Sequence, residues 1–167
     1  QVIEAIIKND PSNFVMIVRY NNMEQVVVER LKKRLSNGER SQLIVSNRLT
    51  KSEYFSVLDQ ANVILETFPF GGGNTMLQSL AIGTPYISLD SDFLRGSFGT
   101  GFYRYINEHR FIAKTIDEYI QLAIQTAYDP SIKAEFKKMV AKNHNKLFNN
   151  MSGSKEFYQW IHSILNN

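Results

Sequence analysis

The segment from Val63 to Pro85 restricts the fold more than any other part of the chain. A short apolar run, Val63-Ile64-Leu65, has the composition of a buried strand. Phe68-Pro69-Phe70 and three successive glycines, Gly71 to Gly73, follow it. Glycine lets a backbone turn tightly and approach a ligand with no Cβ in the way. Asn74 or Thr75 then opens a helix with Leu77, Leu80 and Ala81 on one face, and Gly83 with Pro85 stops it. The N–H groups of the helix's first turn lack helical partners and carry the positive end of the helix dipole. Both features suit an anion such as a phosphate. A turn built for packing alone would have the same composition, and the glycines do not follow the G-x-G-x-x-G spacing.

The rest of the chain repeats the strand–helix alternation. Val2, Ile3, Ile6 and Ile7 form a helical stripe ending at Asn9-Asp10-Pro11. Phe14 to Val18 is continuously apolar, as for a strand covered on both faces. A helix from about Met23 to Leu35 follows, with Val27, Leu31 and Leu35 inward, then the strand Leu43-Ile44-Val45. After the loop Asn47-Arg48-Leu49, Thr50-Lys51-Ser52-Glu53 matches a capping box opening a helix with Tyr54, Phe55 and Leu58. That helix leads into a strand from Val63 to Thr67, and Tyr86 to Leu89 is the strand after the glycine turn. Such alternation with short connections predicts an α/β fold, a doubly wound, Rossmann-like parallel sheet. Ligands of such sheets sit beyond the carboxyl ends of the strands, which places the Asn47–Lys51 loop and the glycine turn at one crevice.

Asp90 to Ile106 reads as a partly irregular loop entering a short helix, with Phe111-Ile112-Ala113 a small edge strand. Thr115-Ile116-Asp117-Glu118 is a second capping-box string, and Asp129-Pro130 restarts a helix to about Lys146. A last helix from about Ser154 presents Phe157, Trp160 and Ile161 as a packing face. A length of 167 residues makes one domain the natural reading, with about 130–167 a helical extension. Gln1 in place of an initiator methionine suggests a piece of a longer protein.

Nineteen basic and sixteen acidic side chains give a net charge of +3, too small and scattered to argue for nucleic acid. No apolar run reaches membrane-spanning length. The chain has no cysteine, which excludes disulfides and thiolate metal sites and fits a cytoplasmic location. His109, His144 and His162 are far apart, without partners at ligand spacing. Asp90-Ser91-Asp92 has the form of a metal-binding D-x-D, but a polar loop at a strand end accounts for it. Arg95 and Ser97 lie in a glycine-bearing loop near the crevice and read as part of a connection.

The order of these elements and several strings resemble the C-terminal, nucleotide-binding half of a GT-B glycosyltransferase. The similarity is to the O-GlcNAc transferases and to the bacterial cytoplasmic glycosyltransferases that modify adhesins, a family 41-like pattern. It rests on Phe68-Pro69-Phe70-Gly71 leading into Asn74-Thr75, on Gly83-Thr84-Pro85, on Phe111 to Tyr119, and on Lys146-Leu147-Phe148-Asn149. The resemblance implies a nucleotide-sugar donor, UDP-linked, and a protein or peptide acceptor. It implies no bound metal and no cofactor, and it places the catalytic base and a phosphate-clamping lysine in a missing N-terminal domain.

Matched by position, the resemblance puts Asn74 and Thr75 on the diphosphate, with Gly72 and Gly73 before them. The O-GlcNAc transferases have a histidine where this chain has Gly73. Gln78 stands where an acidic residue usually contacts the ribose, and an amide accepts hydrogen bonds more weakly than a carboxylate. Lys51 matches a lysine at the start of the base-binding helix. Tyr54 matches an aromatic or histidine that stacks on uracil, and Leu49 lies beside the base. No catalytic residue is carried over. Alternatives are a nucleotide-binding or scaffolding module without turnover, an epimerase, and an enzyme with a polysaccharide acceptor.

Overall fold

The computed structural model describes residues 2–19 and 24–166. The alternation is an α/β fold with parallel strands. In chain order the elements are α1 (Val2–Asn9), β1 (Val15–Arg19), α2 (Glu24–Lys32), α3 (Asn37–Arg40), β2 (Leu43–Arg48), α4 (Lys51–Gln60), β3 (Ile64–Leu65) and α5 (Gly73–Ile82). Then come β4 (Tyr86–Leu89), α6 (Phe98–Tyr105), β5 (Ile112–Ala113), α7 (Ile116–Tyr128), α8 (Pro130–Lys142), α9 (His144–Phe148) and α10 (Ser152–Leu165).

Every strand pair is parallel, but among the described residues the ladders form two sheets. In one, β1 pairs β2 with Val15 opposite Leu43. In the other, β4 is central, pairing β3 at Ile64–Tyr86 and β5 at Ser88–Ile112. The strand expected over Val63 to Thr67 is a two-residue ladder, because the chain leaves β4 as it enters the glycine turn.

The core lies around β4. Ile87 and Tyr86 are buried beside Met76 and Leu80 of α5, which face the sheet one turn apart. Tyr103 of α6, Phe111 and Phe136 of α8 pack as an aromatic trio. The Tyr103 and Phe111 rings stack at 5.7 Å, and Phe136 meets Phe111 edge-on at 5.0 Å. Burying each such ring contributes about 1.5–3 kcal/mol. Tyr103 also donates its hydroxyl to the Tyr86 carbonyl at 2.6 Å, which satisfies the buried phenol.

Several sequence expectations change here. The β1 run is covered on one face only. Val15 and Leu43 are buried, while Met16 and its register partner Ile44 are 42% and 41% exposed on the opposite face. In α2 the inward residues are Val28 and Leu31, with Leu35 buried just beyond it, whereas Val27 is exposed. Both phases fit a helical period. Met23 lies outside the described residues. A capping box at Ser36, with Glu39 answering, makes α3 a separate turn.

The second capping-box string is only half formed. Thr115 accepts from the Glu118 N–H, but the Glu118 carboxylate accepts from Lys114 N–H. Asn143 breaks the helix expected to reach Lys146, giving α8 and α9. The packing face expected of α10 stays open: Phe157 and Trp160 stack on each other at 5.8 Å, yet are 60% and 58% exposed.

Candidate functional site

The glycine turn joins β3 to α5 at the carboxyl edge of the sheet. It is anchored on both sides. Thr67 Oγ1 donates to the Phe70 carbonyl at 2.8 Å, and Gly71 N–H donates to the Arg95 carbonyl at 2.7 Å. Arg95 itself belongs to a single 3-10 turn, Leu94–Gly96, and its guanidinium lies over the Phe93 ring.

Helix α5 starts at Gly73, one residue before the predicted Asn74, with Gly72 as a cap that has no side chain to offer. The first internal bond is Met76 N–H to the Gly72 carbonyl, so the N–H groups of Gly73, Asn74 and Thr75 have no helical partner. At the other end the predicted stop holds. Gly83 takes φ +85° and donates to Ser79 and Leu80 carbonyls, while Ser79 Oγ donates to the Thr84 carbonyl.

The three glycines have different neighbours. A Cβ on Gly71 would lie 2.5 Å from Glu66 Oε1, and one on Gly72 would lie 2.8 Å from the Tyr86 hydroxyl oxygen. Thr75 also presses on Gly72, its Oγ1 3.3 Å from the same point. Gly73 has only Phe98 Cγ at 3.9 Å. At the first two positions a side chain fits only if Glu66 or Tyr86 shifts, and the third accepts one.

Of the residues read from sequence, Gly72, Gly73, Asn74, Thr75 and Gln78 follow one another along the start of α5. Asn74 is exposed, and Thr75 and Gln78 are half-buried. Their side chains make no hydrogen bond to other described residues. Helix α4 packs beside α5. The Thr50–Glu53 capping box at its start is formed as expected, with Glu53 Oε2 accepting from Thr50 N–H at 2.7 Å. Leu49 is half-buried just before that cap. Lys51 is exposed, its Nζ 5.9 Å from the centre of the Phe55 ring, and Tyr54 lies one turn on along the same face.

Two residues that the sequence reading left without a role form the floor of the glycine turn. Glu66 directly follows β3 and is 3% exposed. Its backbone is held by N–H donation to the Ile87 carbonyl at 3.0 Å and by the Tyr119 hydroxyl, which donates to its carbonyl at 2.9 Å. The carboxylate lies between the turn and the first residues of α6. A Cβ on Gly99 would collide with Ser88 Oγ and lie 2.9 and 3.0 Å from the two carboxylate oxygens. Burial pushes the Glu66 carboxyl up, opposed by the Ser88 hydroxyl, the Gly99 and Gly72 N–H groups and the Tyr86 hydroxyl around it. None of these closes to hydrogen-bond geometry, so neither carboxylate oxygen is satisfied, and Ser88 Oγ is unpaired too. Burial, reinforced by the Glu66 charge, pushes the Tyr86 phenol up, keeping it neutral. A carboxylate ending an otherwise apolar strand was the available signal for Glu66; nothing local marked Tyr86.

Asp90 of the D-x-D string pairs with Arg104 at 2.6 Å. Among the described residues no group of three or more His, Asp or Glu side chains could hold a metal. No helix there is long and apolar enough to cross a membrane.

Comparison with known proteins agrees with this architecture. Over 84 residues the chain is 32% identical to a probable UDP-N-acetylglucosamine–peptide N-acetylglucosaminyltransferase SPINDLY of Hordeum vulgare, covering 50% of this chain and 9% of that protein. The Petunia hybrida protein of the same description is 24% identical over 99 residues, covering 57% and 11%. An O-GlcNAc transferase mutant of Thermobaculum terrenum shares the fold, with a TM-score of 0.76 at 18% identity over 98% of this chain and 32% of that one. The chain thus spans about a tenth of the plant relatives' length and a third of the solved enzyme's. A model of glycosyl transferase family 41 matches residues 1–157, and the chain belongs to that family.

Proposed function

We propose that the chain is the UDP-sugar-binding part of a glycosyltransferase that moves a hexose or N-acetylhexosamine to a protein side chain, asparagine or serine/threonine. The observation that carries this reading is the start of α5. Three N–H groups without helical partners open beside a turn that offers them no side-chain cap. A diphosphate placed there would accept from Gly73, Asn74 and Thr75 N–H groups and from the Thr75 hydroxyl. The leaving UDP gains charge as the sugar–phosphate bond breaks, and donors already in place stabilise that charge without reorganising.

On this reading Lys51 and Tyr54, on the neighbouring helix, meet the nucleoside, Tyr54 by stacking on uracil, with Leu49 beside the base and Gln78 toward the ribose. Residues 1–167 form one nucleotide-sugar-binding domain whose helices from about residue 130 are an extension. Helix-terminal N–H groups supply the positive potential, so the reading assigns no metal. The acceptor site and the base belong to another domain of the same protein. Gln78, an amide where an acid is usual, favours a second reading, a binding module without turnover.

Calorimetry with UDP, ADP and GDP separates the two. The transferase reading expects heat with UDP and weaker heat or none with the purine nucleotides. Absence of UDP heat at millimolar nucleotide would favour the module.

A further inference from the structure

The donor-site reading leaves one buried ionisable group without a purpose. Glu66 is 3% exposed, lacks a hydrogen-bond partner on either oxygen, and lies under the turn on which the diphosphate would sit. Its surroundings bring the starts of two helices against a carboxylate that neither satisfies. Gly71 and Gly99, in the turn before α5 and in the first turn of α6, come so close to it that a Cβ on either would lie 2.5 and 2.9 Å from Glu66 Oε1, and the Gly72 and Gly99 N–H groups act to lower its pKa without closing a hydrogen bond. Neither helix has a side-chain cap of its own. An anion is the natural occupant of two such termini, and Gly71 and Gly99 are both small where the carboxylate approaches.

We propose that Glu66 is a positioning residue of the donor site: its carboxylate holds the starts of α5 and α6 from inside and takes up a proton when a diphosphate occupies the outside. The proposal rests on the donor-site reading. Two negative charges sharing one helix terminus disfavour each other, and the buried one has less water to screen it. The incoming diphosphate is solvated and permanently charged, so Glu66 is the group that yields. The proton comes from solvent, and no bond other than its O–H is made or broken.

The titratable groups that face Glu66 are the phenols of Tyr86 on β4, Tyr103 on α6 and Tyr119 on α7. Burial raises all three, which leaves them neutral near physiological pH. Ser88 and the Gly72 and Gly99 N–H groups face it without titrating.

The test is UDP-hexose affinity against pH between about 5.5 and 8, a range in which its diphosphate diester does not titrate. The wild-type protein is expected to lose up to about tenfold in affinity per pH unit as Glu66 ionises in the free state. E66Q is expected to bind with no such slope and to match wild type within about threefold at the acid end. Infrared difference spectra of the wild type alone should show a protonated-carboxyl C=O band growing as UDP-hexose binds, whether or not E66Q folds. A flat wild-type profile, an unchanged slope in E66Q, or binding without that band would overturn the role of Glu66 and leave the donor site standing. No binding by the folded wild type at any pH would overturn both.

Discussion

The hydroxyl of Tyr86 lies 2.8 Å from the point that a Cβ on Gly72 would occupy, so the cap of α5 rests directly on a core phenol. Gly71 stands in the same relation to Glu66. The glycine turn is therefore seated on the sheet by contact, and its shape depends on what lies beneath it.

Substitution should follow the neighbours rather than the residue type. Gly71→Ala and Gly72→Ala each crowd a buried group and are expected to destabilise the protein by about 1–3 kcal/mol. Gly73→Ala meets only an ordinary van der Waals contact with Phe98 and replaces glycine in a helix, so stability should hold or rise by up to about 1 kcal/mol. Thermal melts of the three variants check this, and equal losses at all three positions would contradict it.

Thr75→Ala and Lys51→Ala should each weaken UDP binding about three- to tenfold, the effect of one hydrogen bond to a ligand phosphate or of one exposed side-chain contact with the nucleoside. Neither side chain makes a hydrogen bond within the described structure, so the melting temperature should barely move. Calorimetry on the two variants tests the assignment, and unchanged affinity in both would remove these residues from the site.

Glu66 should also govern how stability varies with pH. Its carboxyl is raised in the folded state, chiefly by burial. Well below the ordinary carboxyl value of about 4.3 the group is protonated whether folded or not, and its titration contributes nothing to stability. As pH rises through that value the unfolded chain ionises first, and stability falls until the folded-state value is passed, then levels off. E66Q should be indistinguishable from wild type near pH 4 and more stable by about 1 kcal/mol or more at pH 7. Denaturant titrations at the two pH values decide this, and an E66Q less stable at pH 7 would contradict it.

The sequence made legible the elements whose cause is local. Gly83 at φ +85° and the Thr50–Glu53 box follow from residues within one turn of each other. The start of α5 is of the same kind, whereas Asn74 and Thr75 as its candidate ligands come from the family resemblance. What required the fold was contact across the chain. Val27 and Val28 fit a helical stripe equally, and only packing against the rest of the core chose Val28. The apolar run of β1 could not reveal that Met16 and Ile44 share an open face. Glu66 and Tyr86 are 20 positions apart and meet only because β3 and β4 pair.

Removing α10 should test the reverse, an element that the sequence presents as packed and the fold leaves exposed. None of its residues from Ser152 to Leu165 is buried. Truncation after Asn150 is expected to leave the melting temperature within about 2 °C, a change of less than about 1 kcal/mol in a domain of this size. A larger drop would mean that α10 packs on the domain in solution.

The central claim is that the side-chain-free start of α5 receives a diphosphate, and amide NMR during a UDP titration tests it most directly. The account predicts that the largest amide shifts fall on Gly73, Asn74 and Thr75, with smaller ones at the start of α4 near Lys51 and Tyr54. Saturable UDP binding that left those three amides unmoved, or no shift at millimolar UDP, would contradict it.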